Sequence, residues 1–212
     1  YNEILMIQKI YGDYIWISSL DKIFVEEYSN KFDSYLENTN NINTSSWEHC
    51  NVKSSFFNNV FIKNHHALDF DSIFSDMLFK EIELFCKELN INEYNKDSLM
   101  IQKIWFNNYK LGDFQEHHNH SGPQTIFSFV YLLKSADSIL DSKLCFGNPR
   151  SNLFKYNNYE RLFNVNEYKT HFIPDLKNGD LIIFPSHMEH YVSIHKNKDV
   201  NRITISGNIH LS

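Results

Sequence analysis

The chain has 212 residues, of which 42% are hydrophobic and 16% aromatic, enough apolar material for one domain with a sizeable core. Its 20 basic and 26 acidic residues give a formal charge of −6 with no basic block, which disfavours a protein that grips the nucleic-acid backbone. Every apolar run falls short of the roughly 18–20 residues that cross a bilayer, so we expect no membrane-spanning segment.

The cysteines indicate a reducing compartment. Cys50, Cys86 and Cys145 are widely separated and form no CxxC pair, so neither a disulfide framework nor a cysteine zinc site is expected. Residues 1–18 are too polar for a signal peptide. We therefore expect a cytoplasmic protein, in a cell or in an infected host.

The first 95 residues read as a mainly helical support region with an early strand. Residues 4–18 mix β-branched and aromatic residues around Gly12-Asp13, which predicts one strand or two short ones. Apolar spacings of three and four predict helices over 21–36 and 70–89, the second capped by Asp69 or Asp71, and the polar stretch 38–55 is expected to be a loop. The inward positions of the second helix would be Ile73, Phe74, Leu78, Ile82, Phe85, Cys86 and Leu89.

After residue 95 the pattern becomes strand-like. Runs bounded by Gly, Pro, Asn or Asp predict strands at 99–109, 125–134, 143–147, 168–173, 180–184, 190–195 and 202–209. No helical pattern alternates with them, so an antiparallel sandwich or jelly roll is favoured over a doubly wound parallel sheet. We expect an α+β fold in a single domain, 1–212, with 96–212 as the β core and 148–167 as a long excursion from it.

Histidines are frequent, 11 in all, and they cluster at 117–120. Side chains two apart in an extended chain point the same way, so His118 and His120 would face one point, with Glu116 on that side and His117 on the other. Two imidazoles at this spacing can bind a transition metal. The pair alone is weak evidence, because buried core histidines are as common an explanation.

A third histidine and an arginine strengthen the case. His190 follows the apolar strand 180–184 at a turn where a strand leaves the mouth of the barrel. Arg202 and Thr204 share a face of the last strand at period two, and the planar guanidinium suits bidentate binding of a carboxylate. A solvated Arg202 on an edge strand is the competing interpretation.

In this order the motifs resemble the iron(II)- and 2-oxoglutarate-dependent oxygenases, whose pattern is HxD/E, a distant His and Arg-x-Ser/Thr. The resemblance is closer to a subgroup common in marine bacteria and their phages, and it covers about residues 99–210. The matching stretches are Trp105-Phe-Asn107, Gly112-Asp-Phe-Gln-Glu-His-His118-Asn-His120, Val130-Tyr131-Leu132, Phe146-Gly-Asn-Pro149-Arg150, Gly179-Asp180-Leu-Ile-Ile-Phe184-Pro185-Ser186, His190 and Arg202-Ile-Thr204-Ile-Ser206.

The resemblance implies a double-stranded β-helix, or jelly roll, that hydroxylates a substrate while 2-oxoglutarate becomes succinate. It implies Fe(II) on His118, His120 and His190, and 2-oxoglutarate on Arg202 with Thr204. Tyr131 and Asn107 would line the cosubstrate pocket, and Arg150 would contact substrate. The substrate would be a small molecule or a peptidyl side chain, and its identity does not follow from the sequence. The sequence also leaves open whether the protein forms a homodimer.

One departure from the family pattern leaves the ligand set and the chemistry open. His120 stands where Asp or Glu is usual, so the site has three imidazoles in place of two and a carboxylate. Glu116 could replace His120 as a ligand or accept a hydrogen bond from a ligand imidazole. Two further classes of protein are compatible with the motifs: a cupin-like three-histidine dioxygenase that does not use 2-oxoglutarate, and a non-catalytic β-sandwich binding or structural protein.

Overall fold

The computed structural model describes residues 5–20, 24–30, 50, 52–57, 72–91, 95–163 and 165–212. Its strands are β1 Leu5–Ile10, β2 Asp13–Ser19, β3 Lys53–Ser54, β4 Leu99–Tyr109, β5 Gln115–His118, β6 Thr125–Lys134, β7 Leu144–Gly147, β8 His171–Phe172, β9 Asp180–Pro185, β10 His190–Val192 and β11 Arg202–Leu211. Its helices are α1 (residues 24–30), α2 Ser72–Glu88, α3 Ser151–Tyr156 and α4 Tyr159–Leu162.

Within the described residues the strands form two antiparallel sheets. The major sheet has the order β1-β2-β9-β6-β11-β4-β3 and the minor sheet the order β5-β10-β7-β8. From β4 onward the chain passes back and forth between the two, which is the jelly-roll arrangement predicted from the sequence.

Two apolar layers hold this arrangement together, and the strand alternation of β9 shows how. Ile182 and Phe184 point between the sheets, whereas Leu181 and Ile183 point to the other face of the major sheet. The second face is covered by α2, whose predicted core positions Phe74, Leu78, Ile82, Phe85 and Cys86 are buried. The helix therefore buttresses the barrel from outside and leaves the space between the sheets for the site.

The N-terminal segment extends the core sheet. β1 and β2 form an antiparallel hairpin through Tyr11 and Gly12, both at positive φ (55° and 101°), the conformation that two-residue hairpin turns require. β2 then pairs with β9. Of the two expectations for this segment, one strand or two short ones, the structure shows two.

Parts of the N-terminal predictions were wrong or cannot be compared. The polar stretch 38–55 was expected to be a loop, yet Lys53 and Ser54 pair with β4, and the hydroxyl of Ser55 accepts the N–H of Phe106 at 3.0 Å. The rest of that stretch, except 50 and 52, most of the helix expected over 21–36, and the caps Asp69 and Asp71 lie outside the described residues.

Most C-terminal strands match the prediction closely, with two exceptions. The strand predicted over 190–195 ends at Val192. Residues 168–173 contain only the two-residue strand β8, preceded by a 3-10 turn at Asn166–Tyr168. The excursion 148–167 carries α3 and α4. None of the helices described here has the length and apolar character needed to cross a bilayer.

Candidate metal centre

Three predicted histidines meet at the open end of the space between the sheets. His118 ends β5 and His190 begins β10, where the two residues are cross-strand partners. His120 follows two residues after β5, and its backbone N–H donates to the carbonyl of Ser186 at 2.9 Å, which holds it against the turn before β10. One ring nitrogen from each histidine lies within 4.8 Å of the other two.

In each of the three rings a hydrogen bond involves the same nitrogen, Nδ1. Nδ1 of His118 lies 2.8 Å from the carbonyl oxygen of Glu116, and Nδ1 of His190 lies 2.9 Å from that of Met188. Nδ1 of His120 lies 2.6 Å from Oδ1 of Asn208. Because these oxygens can only accept, each Nδ1 carries the proton and each Nε2 keeps its lone pair for a metal.

Burial keeps these rings neutral. Desolvation lowers the pKa of His118 to about 4, with the backbone carbonyl of Glu116 acting in the opposite direction. Desolvation also lowers the pKa of His120, and that of His190 well below its ordinary value. Neutral imidazole is the metal-binding form, so at pH 7 the cluster needs to release no proton to bind a cation.

Glu116 does not join this cluster with its carboxylate; its backbone carbonyl supports His118 instead. The period-two expectation fails here because the β5–β10 register shifts between His190 and Val192. His118 faces His190, but Gln115 faces Val192, so Gln115 and not Glu116 lines the pocket with His118.

A cavity next to the three histidines encloses about 330 Å³ of space, part of it open to solvent. Its walls combine the three histidines with polar side chains from β4, β5 and β11. The lining residues are Trp105, Asn107, Tyr109, Gln115, His118, His120, Val130, Leu144, His190, Val192, Arg202, Thr204 and Ser206.

Arg202 is the only cation among these lining residues, and it is buried, with 3% of its surface exposed. Its guanidinium carbon lies 5.3 Å from the ring centroid of Tyr109, and its Nη1 has no hydrogen-bond partner. Within the described part of the chain no carboxylate forms an ion pair with it. Tyr109 and Asp141 attract the guanidinium, but its Nη1 still has no acceptor. A buried cation with an unsatisfied donor is costly, so the cavity suits an anion.

Polar groups continue from Arg202 along the same face of β11. Thr204 and Ser206 follow at period two, and Nδ2 of Asn107 lies 3.5 Å from each hydroxyl oxygen, at the outer limit of a hydrogen bond. Across the cavity the hydroxyl of Tyr109 donates to Oε1 of Gln115 at 2.9 Å. The structure thus places Asn107, Arg202 and Thr204, which the sequence analysis had selected, in one pocket with the histidines.

The structure places Tyr131 away from the cavity that it was predicted to line. It lies in the layer under α2, with its ring centroid 6.4 Å from that of Phe74. Its neighbour Val130 lines the pocket instead, because adjacent residues of β6 face opposite ways. A strand buried on both faces gives no alternation of polarity, so the sequence could not show which face held the site.

Arg150, predicted to contact substrate, lies outside the lining residues and donates from Nη2 to the carbonyl of Tyr11 at 3.2 Å. Sequence reasoning missed Trp105, Tyr109, Gln115 and Asn208. A signal existed for Tyr109, which shares the alternation of Trp105 and Asn107 on β4, and for Asn208, which continues that of Arg202 on β11.

Comparisons with known proteins agree with this geometry. A family model described as "Putative 2OG-Fe(II) oxygenase" matches residues 103–208, half of the chain. No curated protein sequence matches.

Among solved structures, a Pseudomonas putida prolyl-4-hydroxylase is similar with a TM-score of 0.60 at 12% identity, covering 93% of this chain and 92% of that one. The epimerase SnoN from nogalamycin biosynthesis is similar with a TM-score of 0.58 at 12% identity, covering 92% and 76%. The viral collagen prolyl hydroxylase vCPH of Paramecium Bursaria Chlorella virus-1 has a TM-score of 0.54 at 13% identity, covering 100% and 98%. At these identities the likeness is one of fold.

Proposed function

The chain belongs to the family of 2OG-Fe(II) oxygenases, and we propose that it hydroxylates a small-molecule or peptidyl substrate with 2-oxoglutarate as cosubstrate. The observation that carries the proposal is the combination, in one cavity, of three neutral imidazoles oriented through Nδ1 and a buried arginine whose Nη1 has no hydrogen-bond partner. The first group fits a metal and the second fits a carboxylate.

The metal would be held by His118, His120 and His190 through Nε2. The donor set fits Fe(II), since imidazole suits iron among several first-row metals. Each ring is already oriented by the acceptor on its Nδ1. Such support from outside the ligand shell fixes the tautomer and the direction of the lone pair.

The distal carboxylate of 2-oxoglutarate would pair with Arg202. Its free Nη1 supplies a charged donor in a dry environment, and the Thr204 hydroxyl, 1% exposed, is a second group on the same strand face. Asn107, whose Oδ1 is buried without a partner, can turn its amide to offer Nδ2 to the same ligand. These residues would bind and orient the cosubstrate in the cavity that the histidines also line.

Bound Fe(II) and 2-oxoglutarate would supply the activation of dioxygen, with one oxygen atom going to a C–H bond of the substrate and the other to the succinate that forms from 2-oxoglutarate with release of carbon dioxide. The contribution of the chain is positioning and exclusion of water. Trp105 and Val130 form apolar wall at the cavity, with 5% and 9% of their surfaces exposed. Low water access protects a reactive centre from side reactions.

The three-histidine set changes the charge of the centre. A carboxylate ligand would neutralise one unit of metal charge, and neutral imidazole neutralises none. The dianionic cosubstrate would supply that compensation. A cupin-like dioxygenase without 2-oxoglutarate would have the same histidines but no use for a buried arginine, so Arg202 and the family match both favour the proposal.

The test is an anaerobic titration of metal-free protein with Fe(II) and then 2-oxoglutarate, followed by visible absorption. We expect a charge-transfer band only when both are present, because the band requires the cosubstrate to chelate the metal. The matched control is His187→Ala, which removes a nearby exposed histidine bonded to Asp13, and it should retain the band. Iron binding without a band would overturn the use of 2-oxoglutarate.

A further inference from the structure

His120 differs from the other two histidines in what orients its ring. His118 and His190 each use a backbone carbonyl two residues earlier in their own segment. Side-chain substitution cannot remove those acceptors. His120 depends on a side chain from another strand, Oδ1 of Asn208 at 2.6 Å.

The acceptor is itself fixed by a buried hydroxyl. Ser128, fully buried on β6, is the cross-strand partner of Asn208 on β11. Its Oγ donates to Oδ1 of Asn208 at 3.0 Å and lies 3.1 Å from Nδ1 of His120. Oδ1 therefore receives two donors, which sets the amide orientation and places an oxygen, not an NH₂ group, against the ring.

We propose that Asn208, held by Ser128, is the positioning residue that allows a histidine to serve as the third metal ligand. This inference rests on the proposed function, in which His120 is a ligand. A carboxylate at position 120 would present its oxygens to the metal with no Nδ1 to satisfy. A histidine there presents Nε2 only if its Nδ1 keeps the proton, and Asn208 is the group that selects that tautomer.

The competing explanation is that Asn208 only stabilises the fold, and metal affinity separates the two. In Asn208→Ala the ring loses its acceptor, so we expect metal affinity to fall by about 10- to 100-fold. Asn208→Asp keeps an acceptor and should bind metal at least as tightly as the parent protein. The matched control is Asn197→Ala, a buried asparagine outside the cavity lining that bonds Asp141 and two backbone N–H groups.

The experiment measures Fe(II) and Co(II) dissociation constants by competition with a chelating dye, and Tm of each metal-free variant. We expect Asn197→Ala to lower Tm with unchanged metal affinity, and Asn208→Ala to lower affinity. In the His120→Asp background the effect of Asn208→Ala on affinity should disappear, because the ring that it orients is absent. The Co(II) absorption bands should shift in Asn208→Ala and not in Asn197→Ala.

Equal metal affinity in Asn208→Ala and the parent would overturn the inference, as would an undiminished effect in the His120→Asp background. If Asn208→Ala does not fold, Ser128→Ala decides, with weaker metal binding expected and unchanged binding refuting. His120→Ala separates this inference from the proposed ligand set. If that variant keeps full metal affinity, the ligand set itself fails; if it loses metal while Asn208→Ala does not, only the inference about Asn208 fails.

Discussion

Arg202 offers a prediction in which two measurements move in opposite directions. The side chain is buried with an Nη1 that lacks a hydrogen-bond partner, and no carboxylate of the described residues lies within ion-pair distance, although Asp141 attracts it from farther away. Without cosubstrate, the charge is a cost to the folded state; with cosubstrate, it is the main attraction. Replacing it by methionine, of similar length and no charge, should therefore help the free protein and harm the complex.

The magnitudes follow from burial. Replacing a buried ion pair by well-packed apolar side chains is often neutral or stabilising by about 1–4 kcal/mol. Arg202 has no ion-pair partner among the described residues to leave behind, so the unfolding free energy of metal-free Arg202→Met should not fall. Removing one partner of a buried charge pair at a binding site costs about 2–5 kcal/mol. The affinity for 2-oxoglutarate should therefore fall roughly 30-fold to several-thousand-fold, while Fe(II) affinity stays unchanged.

The assay is urea unfolding of the metal-free protein, followed by calorimetric titration of 2-oxoglutarate into the metal-loaded protein. Arg161→Met, at an exposed arginine in α4, is the control and should change neither quantity. A large loss of stability in Arg202→Met with unchanged 2-oxoglutarate affinity would mean that the arginine pairs inside the protein. That result would refute the reasoning.

Three further predictions concern the walls of the cavity and the histidines. Thr204→Val removes a buried hydroxyl without changing shape, so 2-oxoglutarate affinity measured by calorimetry should fall roughly ten- to a hundredfold with Fe(II) affinity intact. Tyr131→Phe should leave both affinities unchanged, since that hydroxyl is buried without a partner on the far side of the sheet; a loss of 2-oxoglutarate binding would restore it to the pocket. Acid should destabilise the metal-free protein: the unfolded chain takes up a proton at the ordinary pKa of 6.5, whereas the folded pKa of His118 is about 4, so stability falls as pH drops from 6.5 to 4. Urea unfolding at pH 7 and pH 5 checks this, and a higher stability at pH 5 would contradict it.

The sequence was most informative where polarity and turn residues agree. Strands Leu99–Tyr109 and Thr125–Lys134 were predicted from end to end because β-branched and aromatic residues are frequent in them and turn residues flank them. The stretch 168–173 misled because its aromatic and β-branched residues suit a strand. There the chain forms a 3-10 turn and then pairs only briefly with β7 at the edge of the minor sheet.

Within the site, three-dimensional pairing decided what the sequence could not. Because the pairing of β5 shifts by one residue, Gln115 lines the cavity where Glu116 was expected. No local sequence pattern predicts such a bulge. The prediction assigned Tyr131 to the wrong face of β6 because that strand is apolar on both faces. Asn208 lies 88 residues from the ring that it orients, so only the pairing of β11 with its neighbours reveals the contact.

The central claim is that His118, His120 and His190 together hold iron in the cavity that Arg202 makes suitable for 2-oxoglutarate. The most direct measurement is an anaerobic crystal structure with Fe(II) and 2-oxoglutarate, using anomalous scattering at the iron edge to locate the metal. We expect one iron peak within bonding distance of all three Nε2 atoms, with the distal carboxylate of 2-oxoglutarate on Arg202. An iron peak bound by Glu116 in place of His120, or 2-oxoglutarate without contact to Arg202, would contradict the claim.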